Sequence, residues 1–149
     1  MKRIAIFPGS FDPYTIGHDN ILRRALAIFD EVVIGVGING SKQSMHSVEE
    51  RIKAINALYA DEQRVSVEKY DDLTTDFARR KGAGFIIRGV RSTKDYEYEM
   101  NIADINRQLT GIETVILFAE PAVAGISSSV VRELIRFNKD VSQFLPKKK

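Results

Sequence analysis

The sequence contains no cysteine, and that absence excludes several kinds of site. Without thiols the chain has no disulfide framework, no thiolate metal site and no cysteine nucleophile. Such a composition fits a reducing compartment, and we predict a cytoplasmic location. The sequence also lacks an apolar run as long as a membrane span, and it opens with a strand pattern where a signal peptide would stand.

Net charge is the second property that the chain nearly lacks. Its 22 lysine and arginine residues almost balance its 20 acidic residues, which leaves a net charge of +2. We therefore expect no nucleic-acid or membrane partner, and any basic site must be local. Apolar residues make up 44% of the 149 residues, which is enough for the core of one ordinary domain. We predict a single domain over residues 1–149.

Short β-rich runs alternate with helical patterns along the chain. The runs that read as buried strands are residues 3–7, 31–38, 65–70, 85–88 and 114–118. The longest helical pattern, residues 94–109, carries an apolar face that includes Ile102 and Ile105. This alternation predicts an α/β protein: an open parallel five-stranded sheet with helices on both faces, a Rossmann-like dinucleotide-binding fold.

The unusual residues follow the predicted strands, at their carboxyl ends. They lie in residues 8–18, 39–42, 88–91 and 121–129. In open parallel sheets the ligand binds at that edge, where the winding of the chain reverses. These four segments would bring together two arginines, a lysine, a histidine, hydroxyls and glycines, which suits several phosphate oxygens. Phosphate is the first ligand that the sequence indicates.

Each of these residues also has a purely structural interpretation. His18 could be an ordinary surface histidine, although its place at a helix N-terminus favours an anion site. Lys42 could be a solvated lysine. Arg88 and Arg91 could form salt bridges to Asp95, Glu97 or Glu99 in place of binding a ligand.

A run of three serines, Ser127, Ser128 and Ser129, precedes the last helical pattern. Serine is a good N-cap, so the run could serve only to start the helix. Three hydroxyls exceed that need, and together with the free amides of the helix they can donate to phosphate oxygens. We interpret the run as a second anion site.

Two motifs carry a resemblance to a known family. Residues 9–13, Gly-Ser-Phe-Asp-Pro, with residues 15–18, Thr-Ile-Gly-His, resemble the signature of the nucleotidylyltransferase superfamily. Residues 126–132, Ile-Ser-Ser-Ser-Val-Val-Arg, resemble its second motif. Within that superfamily, Ser-Lys at 41–42, Ile-Arg-Gly-Val-Arg at 87–91, Asp-Tyr-Glu-Tyr-Glu-Met at 95–100 and Asn-Arg at 106–107 are similar to the bacterial phosphopantetheine adenylyltransferases.

The resemblance implies an activity and its partners. Such enzymes transfer AMP from ATP to 4′-phosphopantetheine and release pyrophosphate and dephospho-coenzyme A, the penultimate step of coenzyme A biosynthesis. Mg²⁺ is the implied cofactor, and the attack is in line without a covalent enzyme intermediate. A homohexamer inhibited by coenzyme A is also implied.

The resemblance further implies roles for individual residues. His18 would donate to the α-phosphate region and stabilise the transition state, which makes it the catalytic residue. The acceptor phosphate would be held by Ser10, Lys42 and Arg88, with Thr74 beside the pantetheine arm. The residues implied for ATP binding are Ser10, Phe11, His18, Gly89, Val90, Arg91, Glu99, Val123, Ala124, Gly125, Ile126, Ser127, Ser128 and Ser129.

One hypothesis concerns the charge of His18. A helix N-terminus disfavours a protonated imidazole, whereas a bound triphosphate favours it, so ATP should tighten proton binding by His18.

Two alternatives remain open at this point. A different nucleotidylyltransferase, such as a cytidylyltransferase or a nicotinamide mononucleotide adenylyltransferase, would share both motifs. A noncatalytic nucleotide sensor would need the fold and the phosphate-binding loops, but it would not need a catalytically competent histidine.

Overall fold

The computed structural model of the protein describes residues 1–38 and 43–148. Its five strands are β1 (Ile4–Gly9), β2 (Glu31–Gly37), β3 (Val65–Tyr70), β4 (Phe85–Val90) and β5 (Glu113–Phe118). Its five helices are α1 (Ile16–Ala25), α2 (Val48–Leu58), α3 (Thr74–Arg80), α4 (Thr93–Thr110) and α5 (Ser128–Arg136), followed by a short 3₁₀ turn at Ser142–Phe144.

All five strands belong to one parallel sheet in the order β3-β2-β1-β4-β5. The predicted five-stranded parallel α/β fold is therefore confirmed. The chain winds outward from β1 to β3 and then returns to place β4 on the other side of β1. The winding reverses between β1 and β4, and the carboxyl ends of these two strands are where such a fold binds its ligand.

Alternate residues of the strands enter two separate apolar clusters, one on each face of the sheet. In β1, Ala5 and Phe7 pack with residues of α1 and α2, whereas Ile6 packs with Phe77 of α3. This follows from the two-residue period of a strand. Gly35 of β2 permits the contact on the second face, because a Cβ atom there would lie 2.5 Å from the Phe77 ring.

Helix α4 departs from the sequence-based expectation. The apolar residues predicted on one face of it, Tyr98, Ile102, Ile105 and Leu109, are exposed to solvent. Within this helix, all of which the structure describes, Glu99 is the residue that is buried. The helix therefore buries a charged side chain and leaves these four apolar residues exposed, although Tyr96 stacks on Phe118 of β5.

In the described part of the chain, none of the helices combines the length and the apolar character needed to cross a lipid bilayer.

Candidate active site

A cleft of about 320 Å³ lies at the carboxyl ends of β1 and β4, next to the start of α1 and α5. The sequence-predicted residues that line it are Ser10, Phe11, His18, Arg88, Gly89, Arg91, Val123, Ile126, Ser127, Ser128 and Ser129. Segments from three distant parts of the chain therefore meet at the point where the winding reverses. That position is the one expected from the order of the strands.

Other predicted residues do not line this cleft. Val90 is buried in β4, Glu99 faces Arg88, and the Thr74 hydroxyl lies 3.1 Å from that of Tyr70. Ala124 and Gly125 belong to the segment before α5 but are not among the lining residues. Lys42 lies outside the described residues. The ligand contacts assigned to these positions stay predictions.

His18 is oriented by an unusual N-terminal cap of α1. The Thr15 side chain accepts a hydrogen bond from the His18 backbone N–H at 3.4 Å, and the Thr15 backbone N–H donates to His18 Nδ1 at 2.9 Å. This is a capping box in which histidine takes the place usually held by glutamate or glutamine. Because Nδ1 accepts, the neutral ring carries its proton on Nε2. The imidazole thus keeps one N–H donor for a ligand.

The surroundings of His18 also decide its charge. Burial and, to a smaller extent, the positive charges of Arg91 and Arg88 together lower the pKa of His18 to about 4. The imidazole is therefore neutral at pH 7 in the free protein. This agrees with the expectation that the free protein disfavours the charged form, and burial and the two arginines are causes that the sequence did not indicate.

Arg88 is held rigidly at the end of β4. Its Nε and Nη2 donate to the two carboxylate oxygens of Glu99 at 2.9 and 2.7 Å, and Nη1 donates to the Pro8 carbonyl at 3.0 Å. Such a two-pronged pair fixes the plane of the guanidinium as well as its position. The salt bridge to Glu99, which the sequence left open as an alternative to ligand binding, is therefore present, and Arg88 still lines the cleft. Arg91 is held more loosely, with Nε 3.6 Å from Asp95.

The three serines before α5 have three different partners. Ser127 is the N-cap and accepts from the Val130 N–H at 3.2 Å. Ser128 donates to the Pro13 carbonyl at 2.7 Å, which ties α5 to the first loop. Ser129 accepts from Arg132 Nη2 at 3.1 Å. One serine is therefore enough for capping, as expected, and the other two shape the wall of the cleft.

Two arginines of the site were given no role from the sequence, although one of them, Arg132, ends the second motif. Arg132 lines the cleft and donates to the Asp12 carbonyl at 2.7 Å. Its spacing of three residues from Ser129 was a signal that it shares a helix face with the serines. Buried Arg51 donates to the Ser10 carbonyl at 2.6 Å and supports the first loop. No local pattern indicates that contact, because 41 residues separate the two partners.

Comparisons with known proteins agree with this geometry. Residues 6–134 match the model of the cytidylyltransferase-like family. The phosphopantetheine adenylyltransferase of Bacteroides fragilis is 56% identical over 145 residues, which are 97% of this chain and 97% of that protein. The enzyme of the same name from Phocaeicola vulgatus is 58% identical over 144 residues, which are 97% of this chain and 95% of that protein.

A solved structure supports the fold alone. The crystal structure of a bifunctional NMN adenylyltransferase/ADP ribose pyrophosphatase from Francisella tularensis superimposes with a TM-score of 0.76 at 17% identity. The match covers 100% of this chain and 46% of that one.

Proposed function

Because this chain belongs to the cytidylyltransferase-like family and, within it, to the phosphopantetheine adenylyltransferases, we propose that it transfers AMP from ATP to 4′-phosphopantetheine. The products are dephospho-coenzyme A and pyrophosphate. The observation that carries the proposal is the cleft between β1 and β4, where a neutral histidine with a free Nε2–H lies near two arginines. Such a site suits a reaction between two phosphate groups.

The proposed reaction needs no nucleophile from the enzyme. A phosphate oxygen of the acceptor attacks the α-phosphorus of ATP and forms a new P–O bond. The bond from the α-phosphorus to the bridging oxygen breaks, and its electron pair leaves with pyrophosphate. The protein must bring two anions together, align them in line and stabilise the charge that grows on the equatorial oxygens.

We assign the donor at the reacting phosphate to His18. Its Nε2–H would donate to an α-phosphate oxygen, where charge develops in the transition state. The ring needs no proton transfer for this role, because the neutral tautomer already carries the required hydrogen. Arg88, fixed by Glu99, would hold the acceptor phosphate together with Ser10 and Lys42.

The phosphates of ATP would lie at the N-terminus of α5. Free amide groups at a helix start and the hydroxyls of Ser127 and Ser129 are suited to phosphate oxygens, whereas the Ser128 hydroxyl already donates to the Pro13 carbonyl. Arg91 and Arg132 add positive charge on either side. Arg132 would face the pyrophosphate as it leaves.

Mg²⁺ would enter with ATP as part of the substrate. The cleft-lining residues that the structure describes include no carboxylate, and the described chain holds no group of three acidic or histidine side chains arranged for a metal ion. Mg²⁺ prefers oxygen ligands and retains several waters. The phosphate oxygens would therefore supply its main ligands.

We further propose a homohexamer, with coenzyme A as a feedback inhibitor that competes for the acceptor side of the cleft. The solvent-facing apolar residues of α4 support packing between copies of the chain. Large exposed apolar patches are typical of interfaces between proteins.

The test is pyrophosphate release from Mg-ATP with 4′-phosphopantetheine, run beside pantetheine without its phosphate and with His18→Ala. We expect release that needs the acceptor phosphate and falls by at least about a hundredfold in the variant. CTP and nicotinamide mononucleotide, offered in place of ATP and of the acceptor, test the related transferases. ATP binding without pyrophosphate release from any acceptor would favour the nucleotide sensor.

A further inference from the structure

We propose that Tyr14 positions the catalytic imidazole, and that a buried hydrogen-bonded chain through Tyr59 to Asp19 holds Tyr14 in place. The inference rests on the proposed function, because the role of His18 belongs to it. Tyr14 and Tyr59 are not among the described residues that line the cleft, so they act through His18 and not on the substrate.

Three aromatic side chains surround the His18 ring, of which Phe7 is the most distant, with ring centroids 6.4 Å apart. Tyr14 stacks on it with ring centroids 5.3 Å apart and 29° between the planes. Phe11 meets it edge-on, with centroids 4.9 Å apart and planes at 87°. Geometries of this kind are favourable for aromatic pairs and restrict rotation of the ring. The restriction matters because a rotated ring would lose the hydrogen bond from the Thr15 N–H to Nδ1. Without that bond the tautomer with its proton on Nε2 is no longer favoured.

The hydroxyl of Tyr14 is fixed in turn. It lies 2.6 Å from the Tyr59 hydroxyl, which donates to Asp19 Oδ1 at 2.5 Å. A phenol has one proton, so Tyr59 spends it on the carboxylate and must accept from Tyr14. The direction of the chain is thus settled: Tyr14 donates to Tyr59, and Tyr59 donates to Asp19.

The chain closes on the helix that carries the imidazole. Asp19 is the neighbour of His18 in α1, and its second oxygen accepts from Arg23 Nε at 3.1 Å. The Arg23 guanidinium also lies over the Tyr59 ring, 5.4 Å from its centroid. Tyr14, Tyr59 and Asp19 are all buried. A buried polar chain in which every group has a hydrogen-bond partner is rigid. A phenylalanine in place of either tyrosine would fill the same space but would break this hydrogen-bonded chain.

Both phenols keep their protons. Burial is the main cause that raises the pKa of Tyr14 and of Tyr59 well above the usual value. The interaction with Tyr59 raises the pKa of Tyr14 further, and the hydrogen bond to Asp19 raises that of Tyr59 more than the hydrogen bond from Tyr14 lowers it. The chain is therefore a fixed support and not a proton relay.

The experiment compares Tyr14→Leu, Tyr14→Phe and Tyr59→Phe with Phe29→Leu as a matched control. Phe29 is equally buried but packs on Phe85 at the opposite edge of the sheet. For Tyr14→Leu we expect kcat to fall about tenfold with KM values within about twofold, because binding is kept and alignment is lost. Smaller losses are expected in the two phenylalanine variants, which keep the rings. Phe29→Leu should lose stability but keep kcat.

A second readout does not depend on activity. Nitrogen chemical shifts of His18, measured in the full-length protein, report which nitrogen carries the proton. We expect the Nε2–H tautomer in the wild type and in Phe29→Leu, and a mixture in Tyr14→Leu, with Tyr14→Phe between them. If the His18 signals of Tyr14→Leu match those of the wild type, the positioning role is wrong, whatever the kcat. If the wild type transfers no AMP, the proposed function is wrong. The nitrogen chemical shifts still test whether Tyr14 positions the His18 ring.

Discussion

At the scale of single residues, the site depends on a histidine that stays neutral. The protein obtains this by burying the ring and by placing two arginines near it. A neutral imidazole can share the cleft with those arginines without repulsion, and it can still donate one hydrogen bond. In the proposed reaction the same arginines would attract the phosphates of ATP, whose negative charge would favour protonation of the ring.

A prediction follows for the titration of His18. In the free protein its pKa is about 4, and a bound nonhydrolysable ATP analogue should raise it, because the negative phosphates favour the imidazolium. Proton NMR titration of the imidazole with and without the analogue measures both values. A His18 pKa that stays constant or falls when the analogue binds would refute the hypothesis.

A second prediction concerns the partner of Arg88. Glu99→Ala leaves the guanidinium without the carboxylate that fixes its plane, and we expect a loss of about 2 kcal/mol in unfolding free energy. We also expect KM for 4′-phosphopantetheine to rise about tenfold, because a mobile arginine holds the acceptor phosphate less well. Urea denaturation and steady-state kinetics measure the two effects.

The control for that variant lies on the same helix. Asp104 forms an exposed salt bridge with Arg107, so Asp104→Ala should change stability by less than about 0.5 kcal/mol and leave KM unchanged. Equal effects of the two substitutions would mean that Glu99 does not position Arg88.

At the scale of elements, the sheet contains a close contact that only glycine permits. Gly35 in β2 faces the Phe77 ring of α3, and an added methyl group would lie 2.5 Å from it. The contact fixes how closely α3 approaches the second face of the sheet. Thr74 is the first residue of α3, so the contact that sets the position of α3 also influences the position of Thr74.

Gly35→Ala should therefore destabilise the protein by about 2 kcal/mol, because the core must move to admit the methyl group. Gly84→Ala is the matched control, since its added methyl group would meet nothing within 4 Å. We expect the control to stay within about 0.5 kcal/mol of the wild type. Thermal and urea unfolding of both variants check the difference, and an undisturbed Gly35→Ala would show that Phe77 can shift freely.

At the scale of the whole molecule, stability should depend on pH through His18. The unfolded chain binds a proton at the ordinary pKa of about 6.5, whereas the folded chain binds one only near pH 4. Between these values the unfolded state holds more protons, so stability falls as pH falls from about 6.5 to about 4. Above pH 6.5 this contribution is constant.

The Asp12 carboxylate adds a further loss at lower pH. Burial raises its pKa, but hydrogen bonds from His46 and from the backbone N–H groups of Met45 and His46 outweigh burial and lower it below 3.8. Its contribution to stability is present above pH 3.8 and is lost as pH falls through the lowered value.

Urea unfolding from pH 7.5 to pH 4 tests the histidine part of this prediction. We expect the wild type to lose stability across that range and His18→Gln to lose clearly less, because glutamine does not titrate. If the unfolding free energies of the two proteins change with pH in parallel, His18 has the same pKa in the folded and unfolded states.

The assembly proposal is also tested at this scale. Leu109→Lys places a charge among the exposed apolar residues of α4 and should shift the protein toward smaller species. Light scattering coupled to size-exclusion chromatography measures the mass. Lys94→Glu, a change at the other end of α4, is the comparison, and a wild-type protein that runs as a monomer would contradict the hexamer.

The sequence by itself determined the fold and the position of the site. Buried runs with a period of two, separated by helices, are local patterns, and they predicted the parallel sheet. The glycines, His18 and the serines follow strands directly, so their place at the carboxyl edge follows from chain order. The capping role of Ser127 was equally local, because a cap and its helix are adjacent in the chain.

Only the tertiary structure decided which side chains hold the site in place. The bond from Tyr59 to Asp19 spans 40 residues, the one from Arg51 to Ser10 spans 41, and the contact of Arg132 with Asp12 spans 120. Such pairs depend on the order of the strands and on side-chain rotamers, which local periodicity does not encode. The exposure of α4 belongs here as well: its apolar spacing predicted a face, but only packing could decide whether the sheet or another molecule covers it.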